Sequence, residues 1–188
     1  MRSLSETLEF LQKTWIEPPL HILDVETRHK SRLLNIFLLP TILIFIGVDG
    51  IYLATLPGYR PPWYGYVFLF GSYFLNRSRY YRPAAFLTLA MFPIVIILNI
   101  ISGEASNPLA MLYYLIPGLL LGGILLSVRT TLIFAVIEVG VILSMPLLAP
   151  NAFVGPDAVV GPLSAMILST LLVMVSMWIR ERIEADVV

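Results

Sequence analysis

Long apolar runs separated by short polar breaks dominate the pattern of hydrophobic and polar positions along the chain. The stretches 36–46, 84–101 and 163–179 contain no charged residue. A transmembrane helix needs about 20 predominantly apolar residues, because that length matches the hydrocarbon core of a bilayer. Clusters of proline, glycine and polar residues divide the pattern into six segments of this kind. The six predicted spans cover residues 33–55, 62–76, 83–102, 107–127, 130–149 and 159–179.

The pattern predicts an all-α, polytopic membrane protein in which residues 33–179 form a six-transmembrane-helix bundle. Composition agrees, since 58% of the 188 residues are hydrophobic and 13% are charged, whereas soluble domains carry about 25% charged residues. Basic residues then set the orientation, because Lys and Arg of short loops stay in the cytoplasm. With the N-terminus inside, Arg60 alone among the twelve basic residues falls outside. Both termini are therefore predicted to be cytoplasmic.

Residues 1–17 precede the first span and predict a cytoplasmic amphipathic helix. One face of this helix carries Leu4, Leu8, Leu11 and Trp15 at helical spacing. Residues 18–32 form a bend and a basic juxtamembrane segment, because Pro18 and Pro19 end the helix and Arg and Lys follow at headgroup depth. The apolar face either rests on the membrane surface or docks on protein. We favour docking on the helix after Ile179 at the base of a dimer.

Residues 180–188 continue the last predicted span with charged residues. Ile179, Ile183 and Val187 recur at i, i+4 and i+8, and neither Gly nor Pro interrupts them. We interpret this segment as the start of a cytoplasmic signalling helix. An output domain is expected beyond Val188.

Taken together, these features resemble the N-terminal membrane module of multidomain bacterial signalling proteins, namely sensor histidine kinases with PAS or GAF domains and diguanylate or nucleotide cyclases. The residues that carry the resemblance are Trp15, Pro18, Pro19, Asp24, Glu26, Arg28 and Arg32–Asn35, with the stretch 112–135. The resemblance implies a homodimeric sensor domain in the bacterial inner membrane, acting in a two-component or related system. It also implies that catalysis resides in the part of the protein beyond residue 188.

The residues of this chain offer little catalytic chemistry. The sequence contains no cysteine, which removes thiolate catalysis and disulfides. His21 and His29 both precede the first span, so the spans contain no histidine that could ligate haem. Lys13 and Lys30 also lie before it, which excludes a retinal Schiff base. We expect no cofactor, no metal, no catalytic residue and no nucleic-acid partner in this chain.

Polar residues within the spans are the candidate functional residues. Intramembrane carboxylates cost about 2.5–3.5 kcal/mol on insertion scales, and they usually face the bundle interior and serve a function. Glu138 lies near the middle of span five and is expected to be protonated or hydrogen-bonded. The candidate ligand-pocket residues are Asp49, Asn99, Tyr113, Tyr114 and Glu138, with Tyr52, Trp63 and Tyr66 as further lining residues. Such a pocket would take a small or lipophilic ligand.

Small residues and prolines inside the spans predict how the helices pack. Gly118 and Gly122 form a small-xxx-small motif, which lets helices approach closely. Packing within the bundle is favoured over a dimer contact for this motif. Prolines free a backbone carbonyl and kink helices, which suits a bundle that encloses a cavity. The intramembrane prolines are Pro40, Pro93, Pro117 and Pro146.

Three functions fit the sequence. The first is a sensor and signal-transmission domain, in which the state of a pocket changes the pitch or rotation of span six. The second is a small transporter with Glu138 as a proton or substrate site, although the two halves of the chain show no repeat of the kind that transporters carry. The third is a passive membrane anchor and dimerisation domain. The charged helix after span six favours the first, and the intramembrane acids disfavour the third.

Overall fold

The computed structural model describes residues 25–78, 80–103, 107–155 and 157–186. Those residues form helices and no strand, which confirms the all-α prediction for this part of the chain. The predicted amphipathic helix at 1–17 and the prolines of the bend lie outside the described residues. The helices are α1 (Val25–Thr55), α2 (Trp63–Arg77), α3 (Tyr81–Ile101), α4 (Pro108–Leu112), α5 (Leu115–Leu125), α6 (Val128–Leu148) and α7 (Asp157–Asp186).

The described part of the basic juxtamembrane segment, residues 25–32, belongs to the first helix. We predicted the first span from residue 33, but α1 begins at Val25 and runs without a break to Thr55. Glu26 in its first turn pairs with Lys30 at 2.5 Å, one helical turn later. An acid near the start of a helix is favoured by the helix dipole, and pairs at i, i+4 add a small stabilisation.

Among the residues that the structure describes, five helical segments are long and apolar enough to cross a membrane. They are α1, α3, α4 with α5, α6 and residues Ala158–Arg180 of α7. The outward-facing side chains of these segments are apolar. Leu43 is 67% exposed, Leu147 84% and Leu172 63%. A surface of this kind suits hydrocarbon and would be unfavourable in water, so the described helices belong to a membrane protein.

The second predicted span, 62–76, corresponds to α2, which is shorter than the helical segments of the other spans. Its 15 residues extend for about 22 Å at 1.5 Å per residue, whereas the hydrocarbon core is about 30 Å thick. Pro61 and Pro62 precede it, and the backbone N–H of Ser78 ends it by donating hydrogen bonds to the carbonyls of Phe74 and Leu75. The count of six membrane crossings therefore stays a prediction.

The fourth predicted span, 107–127, is two helices rather than one. The chain turns at Tyr113 and Tyr114 between α4 and α5. Pro117 has no amide hydrogen with which to bond the carbonyl of Tyr113, and the amide of Ile116 donates to that carbonyl instead, at 3.2 Å. The proline predicted as a kink thus accompanies an interruption of the helix at Tyr113 and Tyr114, where the backbone keeps right-handed helical angles.

The chain forms two compact units, one up to Thr88 and one from Leu89 onward, so that α3 contributes to both. In the first unit α1 packs against α2. The core of this unit includes the buried side chains of Leu34, Leu38, Ile42, Leu69 and Tyr73.

In the second unit α7 packs against α4, α5 and α6. Its core includes the buried side chains of Leu115, Leu119, Ile142, Met145 and Met166.

Glycines allow the close packing of the second unit. A Cβ built on Gly118 would lie 3.0 Å from the ring of Phe92 in α3, and one built on Gly123 would lie 2.6 Å from Val173 of α7. One built on Gly122 would meet a side chain of α6 at an ordinary contact distance of 3.7 Å. Gly118 is likewise buried. The glycines of α5 therefore serve packing within this unit, as the sequence favours.

The last helix continues beyond its apolar part. Helix α7 has 30 residues and ends at Asp186, six residues after Arg180 closes the apolar segment. Arg182 lies over the ring of Trp178, with 4.3 Å between its guanidinium carbon and the ring centroid. This arrangement is a cation–π contact across one turn. Helix α7 thus runs past its apolar part as far as Asp186, and its role as the start of a signalling helix stays a prediction.

Candidate functional site

A carboxylate held by two tyrosine hydroxyls lies in the first unit. Asp49 of α1 is 6% exposed. Tyr59 donates a hydrogen bond from its hydroxyl to Oδ1 at 2.5 Å, and Tyr66 of α2 donates to Oδ2 at 2.6 Å. Hydrogen bonds to a charged acceptor are among the stronger ones in proteins. The carboxylate thus joins α1, the loop after it and α2.

The loop between α1 and α2 places Tyr59 over α1. Gly58 has a φ of 86°, a left-handed conformation that glycine adopts at no steric cost. The chain reverses there, and the ring of Tyr59 lies edge-on to that of Tyr52, with 5.2 Å between centroids. The pKa of the Tyr59 hydroxyl is raised above its usual value, mainly by burial and to a smaller extent by the hydrogen bond to Asp49. Tyr59 therefore remains a hydrogen-bond donor at neutral pH.

The second carboxyl group, Glu138, lies inside the second unit. It is fully buried, at 0% exposure. Its Oε1 would lie 3.1 Å from a Cβ built on Gly118 of α5, beside the ring of Phe92. Neither carboxyl oxygen forms a hydrogen bond with any residue that the structure describes. An acid in such surroundings is costly to charge, so binding or loss of its proton would disturb the packing around it.

The burial predicted for Glu138 is confirmed, and of the two states expected for it, protonated or hydrogen-bonded, no hydrogen bond is formed with the described residues. Asn99 is half-buried, and its side-chain amide donates to the carbonyl of Val95 in its own helix at 2.9 Å. Tyr113 and Tyr114 are 45% and 62% exposed. The described residues therefore include no Ser, Asn or Tyr that bonds Glu138, which was one of the two alternatives left open by the sequence.

Tyr113 lies against the last helix. Its hydroxyl would be 2.9 Å from a Cβ built on Gly161, so the absence of a side chain at Gly161 makes room for it. Tyr113 follows the last residue of α4, and Tyr114 precedes α5. Both residues lie at the interruption between α4 and α5, whereas the sequence predicted one continuous helix over 107–127.

The five predicted pocket residues fall in different units. Asp49 belongs to the first unit, and Asn99, Tyr113, Tyr114 and Glu138 belong to the second. The structure joins Asp49 to Tyr66, a residue that the sequence analysis had grouped with it. Trp63, from the same group, is 72% exposed.

Tyr59 was not among the residues predicted from the sequence. The available signal was the Pro-Gly turn just before it.

A buried polar cluster in the first unit was also missed. The side-chain amide of Asn76 in α2 donates to the Ser31 carbonyl at 2.9 Å and to Asn35 Oδ1 at 2.8 Å, while the Ser31 hydroxyl donates to Asn76 Oδ1 at 2.9 Å. All three residues are fully buried. Polar side chains on facing membrane helices stabilise their association in this way. The available signal was an asparagine near the end of an apolar segment, with Ser31 and Asn35 one turn apart.

Within the described residues, no group of three or more His, Asp or Glu side chains is arranged to hold a metal ion. Comparison of the chain with protein-family models, curated proteins and solved structures found no match. Asp49, Glu138 and α7 are therefore the features of the molecule that bear on its function.

Proposed function

We propose that this chain is a membrane-embedded sensor and signal-transmission domain of a bacterial receptor. It would work as a homodimer in the inner membrane, with six crossings and both termini in the cytoplasm. A stimulus within the membrane or at its outer face would be coupled to a cytoplasmic output such as a histidine kinase. The stimulus would be a small or lipophilic ligand, or a change at one of the two carboxyl groups.

The observation that carries this proposal is the continuity of α7. The helix includes a complete apolar span and then six charged or apolar residues beyond Arg180, without an interruption. Its inner face packs against α4, α5 and α6. Since a continuous helix moves as a rod over such a length, a shift in that packing would displace the residues beyond the membrane.

Glu138 supplies a candidate input to this helix. It lies on α6 and faces Gly118 of α5, and both of these helices pack against α7. A packed core shifts between discrete arrangements rather than deforming continuously. A change in the proton or hydrogen-bond state of Glu138 would therefore be transmitted to α7 through α5 and α6.

A transporter is the second candidate, and the same residue favours it. A buried carboxyl group without a hydrogen-bond partner is the expected form of an intramembrane proton site. Helix α7 distinguishes the two candidates, because transport requires no helix that continues past the membrane. A passive anchor remains the third candidate, and it predicts no effect of Glu138 on any output.

The proposal is tested by joining the chain after Asp186, in helical register, to the kinase domain of a well-characterised receptor. Insertion of two alanines after Arg182 turns the outgoing helix by about 200°, and insertion of four turns it by about 400°, close to the original phase. We expect the first insertion to change kinase output strongly and the second to restore it. Glu138→Gln should shift output at unchanged protein level, whereas Ser144→Ala, a polar change on the same helix, should not.

A kinase output that is unchanged by Glu138→Gln and by the helical phase of the junction would contradict the proposal and support a passive anchor. Proton-coupled flux in proteoliposomes that is lost in Glu138→Gln, with no effect of phase on kinase output, would support the transporter.

A further inference from the structure

An open groove runs between α5 and α7 in the second unit. Its volume is about 410 Å³. The residues that form its walls and its end are Leu120, Gly123, Ile124, Leu172, Ser176 and Arg180. Because all of them belong to two neighbouring helices, the groove is a feature of one helix pair.

The groove exists because two helices approach closely at a glycine. A Cβ on Gly123 would lie 2.6 Å from Val173 Cγ1, so the absence of a side chain allows contact at the floor. The walls stand away from this contact and face outward. Leu120 and Ile124 are each 49% exposed, and Leu172 is 63% exposed. The groove is therefore open to the hydrocarbon that surrounds the helices.

The two ends of the groove differ in polarity. Arg180 is the last residue of the apolar segment of α7, which places it at the depth of the lipid headgroups on that side of the membrane. Ser176 lies one helical turn deeper, and Leu172 one turn below that. Eight residues separate Leu172 from Arg180, or about 12 Å along the helix. From the headgroups inward, the groove thus presents a cation, then a hydroxyl, then apolar side chains. A phospholipid has its phosphate and acyl chain in the same order.

We propose that this groove binds one anionic phospholipid. Its phosphate accepts hydrogen bonds from Arg180 and Ser176, and an acyl chain lies along Leu120, Ile124 and Leu172. A guanidinium matches phosphate geometry and is attracted to anionic lipid. A second copy of the chain suits the groove less well, because a two-fold interface centred on it would bring two Arg180 side chains together. The inference does not depend on the proposed signalling role.

The test compares two phospholipids with identical acyl chains. The full chain is purified in detergent, and native mass spectrometry measures its binding of phosphatidylglycerol and of phosphatidylcholine. We expect one phosphatidylglycerol to be retained under activation that removes phosphatidylcholine. Arg180→Gln should weaken this binding by about tenfold or more, the effect of losing one charged hydrogen bond. Arg129→Gln removes an exposed arginine outside the groove, and should leave the binding unchanged.

A second variant fills the groove and keeps its charge. Ile124→Trp should reduce retention of phosphatidylglycerol while its melting temperature in detergent stays that of the parent chain. Equal retention of the two lipids would overturn the proposal. So would an equal loss in Arg129→Gln and Arg180→Gln, since that result indicates general surface attraction. Efficient disulfide formation between two Ile124→Cys chains, unaffected by added phosphatidylglycerol, would assign the groove to a second copy and would also overturn it.

Discussion

The carboxyl group of Glu138 lies against the bare face of Gly118, where an added Cβ would come within 3.1 Å of its Oε1. The same Cβ would lie 3.0 Å from the ring of Phe92. Glu138 is fully buried at this contact. The carboxyl group thus fits inside the second unit because Gly118 of α5 has no side chain. The candidate proton site therefore depends on how α5 and α6 pack.

Gly118→Ala is expected to destabilise the protein by about 1–3 kcal/mol, the usual cost of adding a methyl group to a packed core. The reason is the contact with Phe92 and Glu138 described above. Gly140→Ala is the matched control, because a Cβ there meets nothing within 4 Å, and alanine also favours the helix. Melting temperatures in detergent compare the two variants. Equal tolerance of both would show that Gly118 is not tightly packed.

Asn76→Leu should lower the free energy of unfolding by about 1–2 kcal/mol, because it removes the hydrogen bonds to Ser31 and Asn35. The polar atoms of those residues would then remain buried without Asn76. Thr41→Val serves as the control, since Thr41 bonds only the carbonyl of Phe37 in its own helix. Unfolding in mixed micelles measures both values. A loss no larger than that of the control would mean that the cluster does not hold α1 and α2 together.

Tyr59→Phe should free the loop between α1 and α2 from Asp49. The hydrogen-exchange rate of the residue-59 backbone amide, which donates to the carbonyl of Leu56 at 3.2 Å, then reports the opening of the loop. We expect an increase of about two- to tenfold, which corresponds to a hydrogen bond worth about 0.5–1.5 kcal/mol. Tyr52→Phe keeps the ring contact with Tyr59 and both hydrogen bonds to Asp49, so it should leave the rate unchanged. An unchanged rate in Tyr59→Phe would refute the role of this bond.

The number of membrane crossings can be measured directly, because the sequence contains no cysteine. Single cysteines at Leu56 and Asn151 should react with an impermeant reagent from outside the cell. Those at Ser78 and Ser127 should react only after the membrane is opened. Leu56 and Ser78 flank α2, so labelling of both from one side would mean that this 15-residue helix does not cross.

The sequence by itself determined that this protein is helical and built for a membrane. Helix formation and burial in lipid depend on composition and spacing within one segment, and the runs around Ile42, Ile96 and Ile142 contain both signals. Burial of Glu138 was also predictable, since an acid in the middle of an apolar segment avoids lipid wherever other helices surround it. The continuation of the last helix beyond Arg180 followed from the absence of Gly and Pro.

Only the tertiary structure decided which polar groups meet. The contacts of Asp49 with Tyr59, and of Asn76 with Asn35, join residues on different elements, and they depend on how the helices rotate and slide against each other. Apolar helix faces are nearly equivalent in hydrophobicity, so periodicity does not select one rotation over another. Close packing selects the rotation, because the neighbouring helix can approach closely only where a glycine such as Gly123 leaves room for it. For this reason the groove between α5 and α7, the carboxyl contact at Gly118 and the asparagine cluster were visible only once the helices were packed.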